Sequence, residues 1–408
     1  MTGSVRRLRR ASGVGALGVL GVTALLGAGG SGHRRAEGVL AARSSSGRPA
    51  PLLVPLASSF STPDGTWVDV PMGRVGQLVN TFWQTFVLRP SSSRWTLVTP
   101  PGVADNGGLV STSSSNGRVL AGFEASQLLG YSPLAETADA GRSWSAGLVP
   151  ARLAATPDAL ALSSQGGMLA LLGSDGGSVL SSTGNPSVWH TLVRATALRR
   201  SPAGRNCGLL RLGAVAFAPD GSPLVGATCD GGGRAGVFAR VGASWVLEPL
   251  RLPGGRSSVG ETLRLSSSGG PTSALVELDG VRRVALVGAW PLAAGSWSAS
   301  RPLALPARTR LVASGTLGSG AVFVLLATVS SLRLETTGLP RAGAAWQELP
   351  APPPGTAAAA FSGAAGATRV DAFVAHGSTL TDDVLDLRSR RWVRSQTIEV
   401  PITYGSSG

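Results

Sequence analysis

The chain has 408 residues, among them 57 Gly and 27 Pro, and all 36 of its basic residues are Arg. Short apolar runs bounded by Gly, Pro and Ser exclude a helical fold and predict many short strands joined by tight turns. The net charge of +14 overstates how basic the folded part is, because residues 1–48 hold eight Arg against Glu37, and the remainder sets 28 Arg against 21 acids. No run of basic residues interleaved with aromatics is present, so nucleic acid is not an expected partner.

Arg6-Arg7-Leu8-Arg9-Arg10 precedes the uncharged stretch Ala11–Gly32, whose most apolar part is Val14–Leu26. A charged start, a short apolar segment and small residues around Ala28–Gly30 read as a secretory signal peptide over 1–30. The rival reading of the same residues is an uncleaved membrane anchor. Either one places the rest of the chain outside the cytoplasm, secreted or tethered through this segment. Residues 31–59, rich in Arg, Ser and Pro, are expected to form a disordered linker.

The folded part is expected over 60–408. Its first unit offers strands opening at Asp64-Gly65-Thr66-Trp67, at Thr81–Leu88 and at Trp95–Thr99, and so falls one strand short. The second offers Leu109–Ser113, Arg118–Ala125, Pro133–Thr137 and Trp144–Val149, a full four. Trp95, Trp144, Trp189, Trp245, Trp297, Trp346 and Trp392 then recur at intervals of 49, 45, 56, 52, 49 and 46 residues. Past the last of them, Thr397–Ile402 is a strand without a unit, which on this reading completes the first one. The fold class expected is therefore all-β: a seven-bladed β-propeller of four-stranded antiparallel blades, closed by its N- and C-terminal strands. Six or eight blades, or a two-sheet sandwich, are the alternatives.

Within the second unit, Thr137-Ala-Asp139-Ala-Gly141-Arg-Ser143-Trp144 has the composition of a closed turn between strands. Thr137 and Asp139 can cap its amides, Gly141 can take a positive φ, and Trp144 can drop into a core. Cys207 and Cys229, the only two Cys, flank an expected hairpin of Leu209–Phe217 and Pro223–Thr228, which brings them within reach of a disulfide if the compartment is oxidising. Asp382, Asp383 and Asp386 precede Arg388, Arg390 and Arg391, and are read as a charged hairpin rather than a cation site. His190 and His376 lack partners at metal-ligand spacing, and no nucleophile elbow, phosphate loop or dinucleotide fingerprint is found. No metal or cofactor is expected.

The connections that follow the Trp strands carry Arg199, Arg200, Arg205, Arg256, Arg308 and Arg310. In a propeller such connections share one face, which is expected to be basic and to take an anionic ligand, whether an envelope protein or an acidic polymer, through Arg forks.

The 137–144 turn resembles the Asp-box, or BNR-like, repeat families, whose members include sialidases, sortilin-type receptors and the propeller assembly factors of photosystem II. The resemblance implies that Thr137, Asp139, Gly141, Ser143 and Trp144 brace a hairpin away from any active face. A sialidase of this kind also needs an arginine cluster, a Tyr nucleophile paired with Glu, an Asp acid/base and a Phe/Tyr-Arg-Ile-Pro segment. This chain has only Tyr131 and Tyr404 and no Arg-Ile-Pro. The function expected is a non-enzymatic binding or scaffolding module in the bacterial envelope, with a degenerate sialidase-like glycoside hydrolase as the alternative.

Overall fold

A computed structural model describes residues 58–402 except 75–79, 101–107, 124–133, 148–156, 174–176, 185–187, 231–233, 254–258, 267–271, 280–283, 293–295, 318, 338–340 and 365–366. The signal-peptide or anchor reading of 1–30, and the linker reading up to residue 57, lie outside these residues.

The described chain is almost entirely antiparallel strand, laid down as consecutive four-stranded meanders. The first is β1 (Ser58–Thr62), β2 (Gly65–Gly73), β3 (Thr81–Leu88) and β4 (Trp95–Leu97). The second is β5 (Leu109–Ser113), β6 (Val119–Phe123), β7 (Leu134–Thr137) and β8 (Ser145–Gly147), and the third β9 (Ala159–Leu162), β10 (Gly167–Leu172), β11 (Ser178–Thr183) and β12 (His190–Arg194). Two short helices follow, α1 (Ala195–Arg200) and α2 (Pro202–Cys207). The next meander is β13 (Leu209–Phe217), β14 (Pro223–Cys229), β15 (Arg234–Val241) and β16 (Ser244–Arg251). After it come β17 (Val259–Ser266), β18 (Ser273–Asp279), β19 (Val284–Leu292) and β20 (Ser296–Ala299), with β21 (Leu303–Ala304) pairing β19. Then follow β22 (Arg310–Thr316), β23 (Val322–Ala327), β24 (Leu332–Thr336) and β25 (Gln347–Leu349). The last is β26 (Thr356–Ala364), β27 (Ala367–His376), β28 (Thr379–Asp386) and β29 (Arg391–Glu399).

Each meander is sandwiched between neighbours, so its middle strands bury both faces and read as continuous apolar runs, as in Val322-Phe-Val-Leu-Leu326 of β23. The apolar cores accordingly lie between successive meanders. Leu120 and Leu134 pack with Met168, Leu180 and Trp189. Val225 and Phe238 pack with Leu169 and Val179. Leu263 and Leu275 pack with Val322, Val324 and Leu326. A further cluster joins the two chain ends, with Met72, Phe86 and Trp95 of the first meander against Phe361, Phe373 and Leu385 of the last.

Every recurring Trp sits in, or immediately before, the fourth strand of its meander. The turn between the first two strands also recurs, in a form that the Trp spacing does not reveal. Ser114–Arg118, Ser163–Gly167, Ala218–Ser222 and Leu317–Ala321 each donate their first N–H to the fifth residue's carbonyl, at 2.8–2.9 Å. In each the fourth residue is Gly, with φ of 85°, 82°, 84° and 84° in turn, a conformation that only Gly takes freely.

The strand that completes the first meander is β1, which pairs antiparallel with β2 and runs parallel beside β22. The expected role of Thr397–Ile402 is thereby corrected: Thr397, Ile398 and Glu399 continue β29, paired to β28. The pattern reading missed β1 because Ser58-Ser59-Phe60-Ser61-Thr62 offers a single apolar residue and looks like linker.

Candidate functional site

Three places bear on function: the helical insert between β12 and β13, the turn at 137–144, and the junction between the first and last meanders.

In the insert, the connection that carries Arg199, Arg200 and Arg205 folds into helices. Ser201 caps α2 by accepting the Gly204 N–H on Oγ at 3.0 Å, Pro202 occupies the first helical position, and Gly208 ends the helix with φ 63°. Cys207, the last residue of α2, is bonded to Cys229, the last residue of β14, so the insert is fastened to the sheet. Leu198 and Cys207 fill the core beneath. The three Arg are exposed but not equivalent. Arg199 spends its fork on the backbone, donating from Nε to the Leu209 carbonyl at 2.8 Å and from Nη2 to the Leu210 carbonyl at 2.6 Å. Arg205 Nη1 donates to the Arg200 carbonyl. Arg200, with Arg194 at the end of β12, points outward, and no acidic residue lies between 194 and 207. Arg308, in a turn with φ 63°, and Arg310, opening β22, are exposed in a different connection between meanders. Arg256 lies outside the described residues. Glu261, near the start of β17, forms an ion pair with Arg211.

At 137–144 the turn is closed from within. Thr137 Oγ1 accepts the N–H groups of Asp139 and Gly141, at 3.3 and 3.1 Å, and donates to Asp139 Oδ1 at 2.8 Å. Ser143 donates to the same carboxylate from N, at 2.9 Å, and from Oγ, at 2.5 Å. Those bonds, Ser143's hydroxyl first, hold the Asp139 carboxyl down at about 2. Gly141 has φ 74°, and a Cβ there would stand 2.7 Å from Val98 Cβ. Trp144 packs edge-on to the buried Trp67, with ring centroids 6.2 Å apart. The turn thus ties β7 and β8 to the first meander through packing.

The Asp382–Asp386 stretch departs from the charged-hairpin expectation. Asp386 is exposed and caps the β28–β29 turn, accepting from Arg388 N and Ser389 Oγ at 2.9 and 2.7 Å. Asp382 and Asp383 are buried instead, as is Asp371 on the neighbouring strand. Arg369 Nη2 lies 2.7 Å from Asp371 Oδ1 and 3.2 Å from Asp382 Oδ2. Arg394 Nε lies 3.4 Å from Asp383 Oδ1. Burial, and then the charge of Asp371 and a hydrogen bond to it, push the Asp382 carboxyl up to about 8. Trp95 of β4 enters this cluster from the other end of the chain, its Nε1 donating to Asp371 Oδ1 at 3.0 Å. Among the described residues no group of His, Cys, Asp and Glu is arranged to hold a metal ion.

No protein-family model matches the chain, and no curated protein matches it in sequence. Among solved structures it is similar to a putative 6-phosphogluconolactonase from Bacteroides uniformis, with 12% identity and a TM-score of 0.51 over 83% of this chain and 97% of that one. It is also similar to the fucose-binding lectin of Aleuria aurantia, at 11% identity and a TM-score of 0.40 over 88% of this chain and 99% of that one. A third is YCF48 bound to D1 peptide, at 14% identity and a TM-score of 0.38 over 75% and 85%. Consecutive four-stranded meanders define an all-β propeller fold, and the likeness to the first of these structures bears on the fold alone.

Proposed function

We propose that the chain is a seven-bladed, Asp-box-type β-propeller that works outside the cytoplasm as a non-enzymatic binding module for an anionic partner, an envelope protein or an acidic polymer. The meanders supply one blade each, and the junction of first and last closes the ring. The disulfide supports the compartment, because such bonds persist where thiols are oxidised.

The observation that carries the binding role is the helical insert. It is the one described connection between meanders that folds into helices, it is fastened by the only disulfide, and it presents Arg194, Arg200 and Arg205 with no acid among them. A rigid mount lowers the entropy lost on binding, and guanidinium forks suit carboxylate and phosphate. The test is retention of the exported chain on polyglutamate and polyphosphate beads and on envelope extract, compared with the R194E/R200E/R205E variant. Arg199 is left in place because it holds the backbone at Leu209 and Leu210. Loss of binding by about tenfold or more, with a flatter salt dependence, is the expected outcome; unchanged retention overturns the reading.

A further inference from the structure

Trp95 pairs with Leu88 of β3 within its own meander and is also tied to the last one. Its N–H donates to Gln396 Oε1 at 2.9 Å, its carbonyl accepts from Gln396 Nε2 at 3.0 Å, and its indole N–H donates to Asp371. Its ring stands edge-on to Phe373, centroids 5.0 Å apart. Two residues earlier, the Ser93 carbonyl accepts from Arg369 Nη1 at 3.0 Å. Beside apolar packing and one backbone bond, from the Gly73 N–H to the Gly377 carbonyl at 2.9 Å, the seam between the first and last meanders rests on side chains, with Gln396 making two of these hydrogen bonds and Arg369 and Asp371 one each.

Those two residues share their site with a carboxyl they cannot fully compensate. Asp371 and Asp382 are both fully buried, and the one guanidinium between them is that of Arg369. Asp371 Oδ2 and Asp382 Oδ1 have no hydrogen-bond partner. The other groups packed around Asp382 are Asp383 on its own strand, with Arg394 opposite that residue, and the hydroxyl of Ser395, which bonds to it. Two buried carboxylates on one Arg would leave an uncompensated negative charge, so the arrangement is satisfied only when one carboxyl keeps its proton.

We propose that this cluster is a proton-dependent latch: protonated, it holds Trp95 and Ser93 against the last meander, and on losing its proton to solvent it releases the seam. The direction follows from where the proton is bound. An Asp in the unfolded chain ionises near 3.8, whereas Asp382 in the seam keeps its proton up to about 8. Its contribution to the closed seam is complete below the lower value and is lost as pH rises through the higher one.

The test is hydrogen exchange of segments 91–99 and 391–399 in the intact protein at pH 6 and pH 9, corrected for intrinsic rates, with β11 as an internal reference. Exchange in both seam segments is expected to accelerate about tenfold or more relative to β11. The D382N variant, which mimics the protonated form, is expected to remove that acceleration. Equal acceleration in D382N, or none in the wild type, overturns the proposal. Should D382N fail to fold, infrared difference spectra of the wild type decide. A protonated-carboxyl band present at pH 6 and lost by pH 9 supports the latch, and its absence at pH 6 overturns it.

Discussion

At the level of single residues, what the sequence made legible is what bonds locally. Thr137, Asp139, Gly141 and Ser143 satisfy one another within a few positions, so their composition alone specifies the turn. Gly141→Ala forces a side chain into positive φ and against Val98 Cβ at 2.7 Å. It is expected to cost about 1–3 kcal/mol, measured by chemical denaturation. Asp139 sits below its ordinary value, so its contribution is present above 3.8 and disappears as pH falls through about 2. Asp139→Asn is expected to remove that acid-side step, which thermal melts between pH 5 and pH 2 would record; an unchanged profile would count against these bonds. Asp382 and Asp383 were illegible for the opposite reason. Nothing beside them in sequence says that Trp95, 276 residues from Asp371, arrives to bury them.

Among elements, the fourth strands were marked in advance by Trp, and four of the seven indoles prove to be hydrogen-bonded ties between meanders. Trp297 Nε1 donates to Glu248 Oε2 of the preceding meander at 3.1 Å, Trp346 Nε1 to the Arg301 carbonyl at 2.9 Å, and Trp392 Nε1 to the Pro350 carbonyl at 3.3 Å. Trp95 makes the corresponding bond from the first meander to the last. Trp189 is completely buried, and Trp189→Ala is expected to destabilise by about 3–5 kcal/mol. The helical insert escaped the pattern reading although Ser201-Pro202 and Gly208 are start and stop signals, because two six-residue helices are too short to show periodicity. Replacing Cys207 and Cys229 by Ala is expected to cost about 3 kcal/mol and to speed hydrogen exchange in α1 and α2. Exchange unaltered there would mean that Leu198 and the Arg199 clamp hold the insert unaided.

On the scale of the whole molecule, the propeller fold was readable because one strand plan repeats at a nearly constant interval, while the contact between the first and last meanders was not. Among the described residues the first and last meanders exchange no strand and meet through the Gly73–Gly377 backbone bond and through Trp95, Arg369, Asp371 and Gln396, whose pairing leaves no periodic trace. A chain beginning at Pro63 would lack β1, which pairs both β2 and β22. It is expected to lose cooperative unfolding by circular dichroism, whereas a chain ending at Ile402 keeps every described strand and is expected to melt as the parent does. Since all four strands of every described meander are contiguous in the chain, none borrows a strand from the far terminus. A duplication or loss between two equivalent Trp positions would therefore add or remove one complete unit and strand no partner. Architecture of this kind can change its girth in whole steps, and during synthesis each segment can finish its own sheet before the next has emerged.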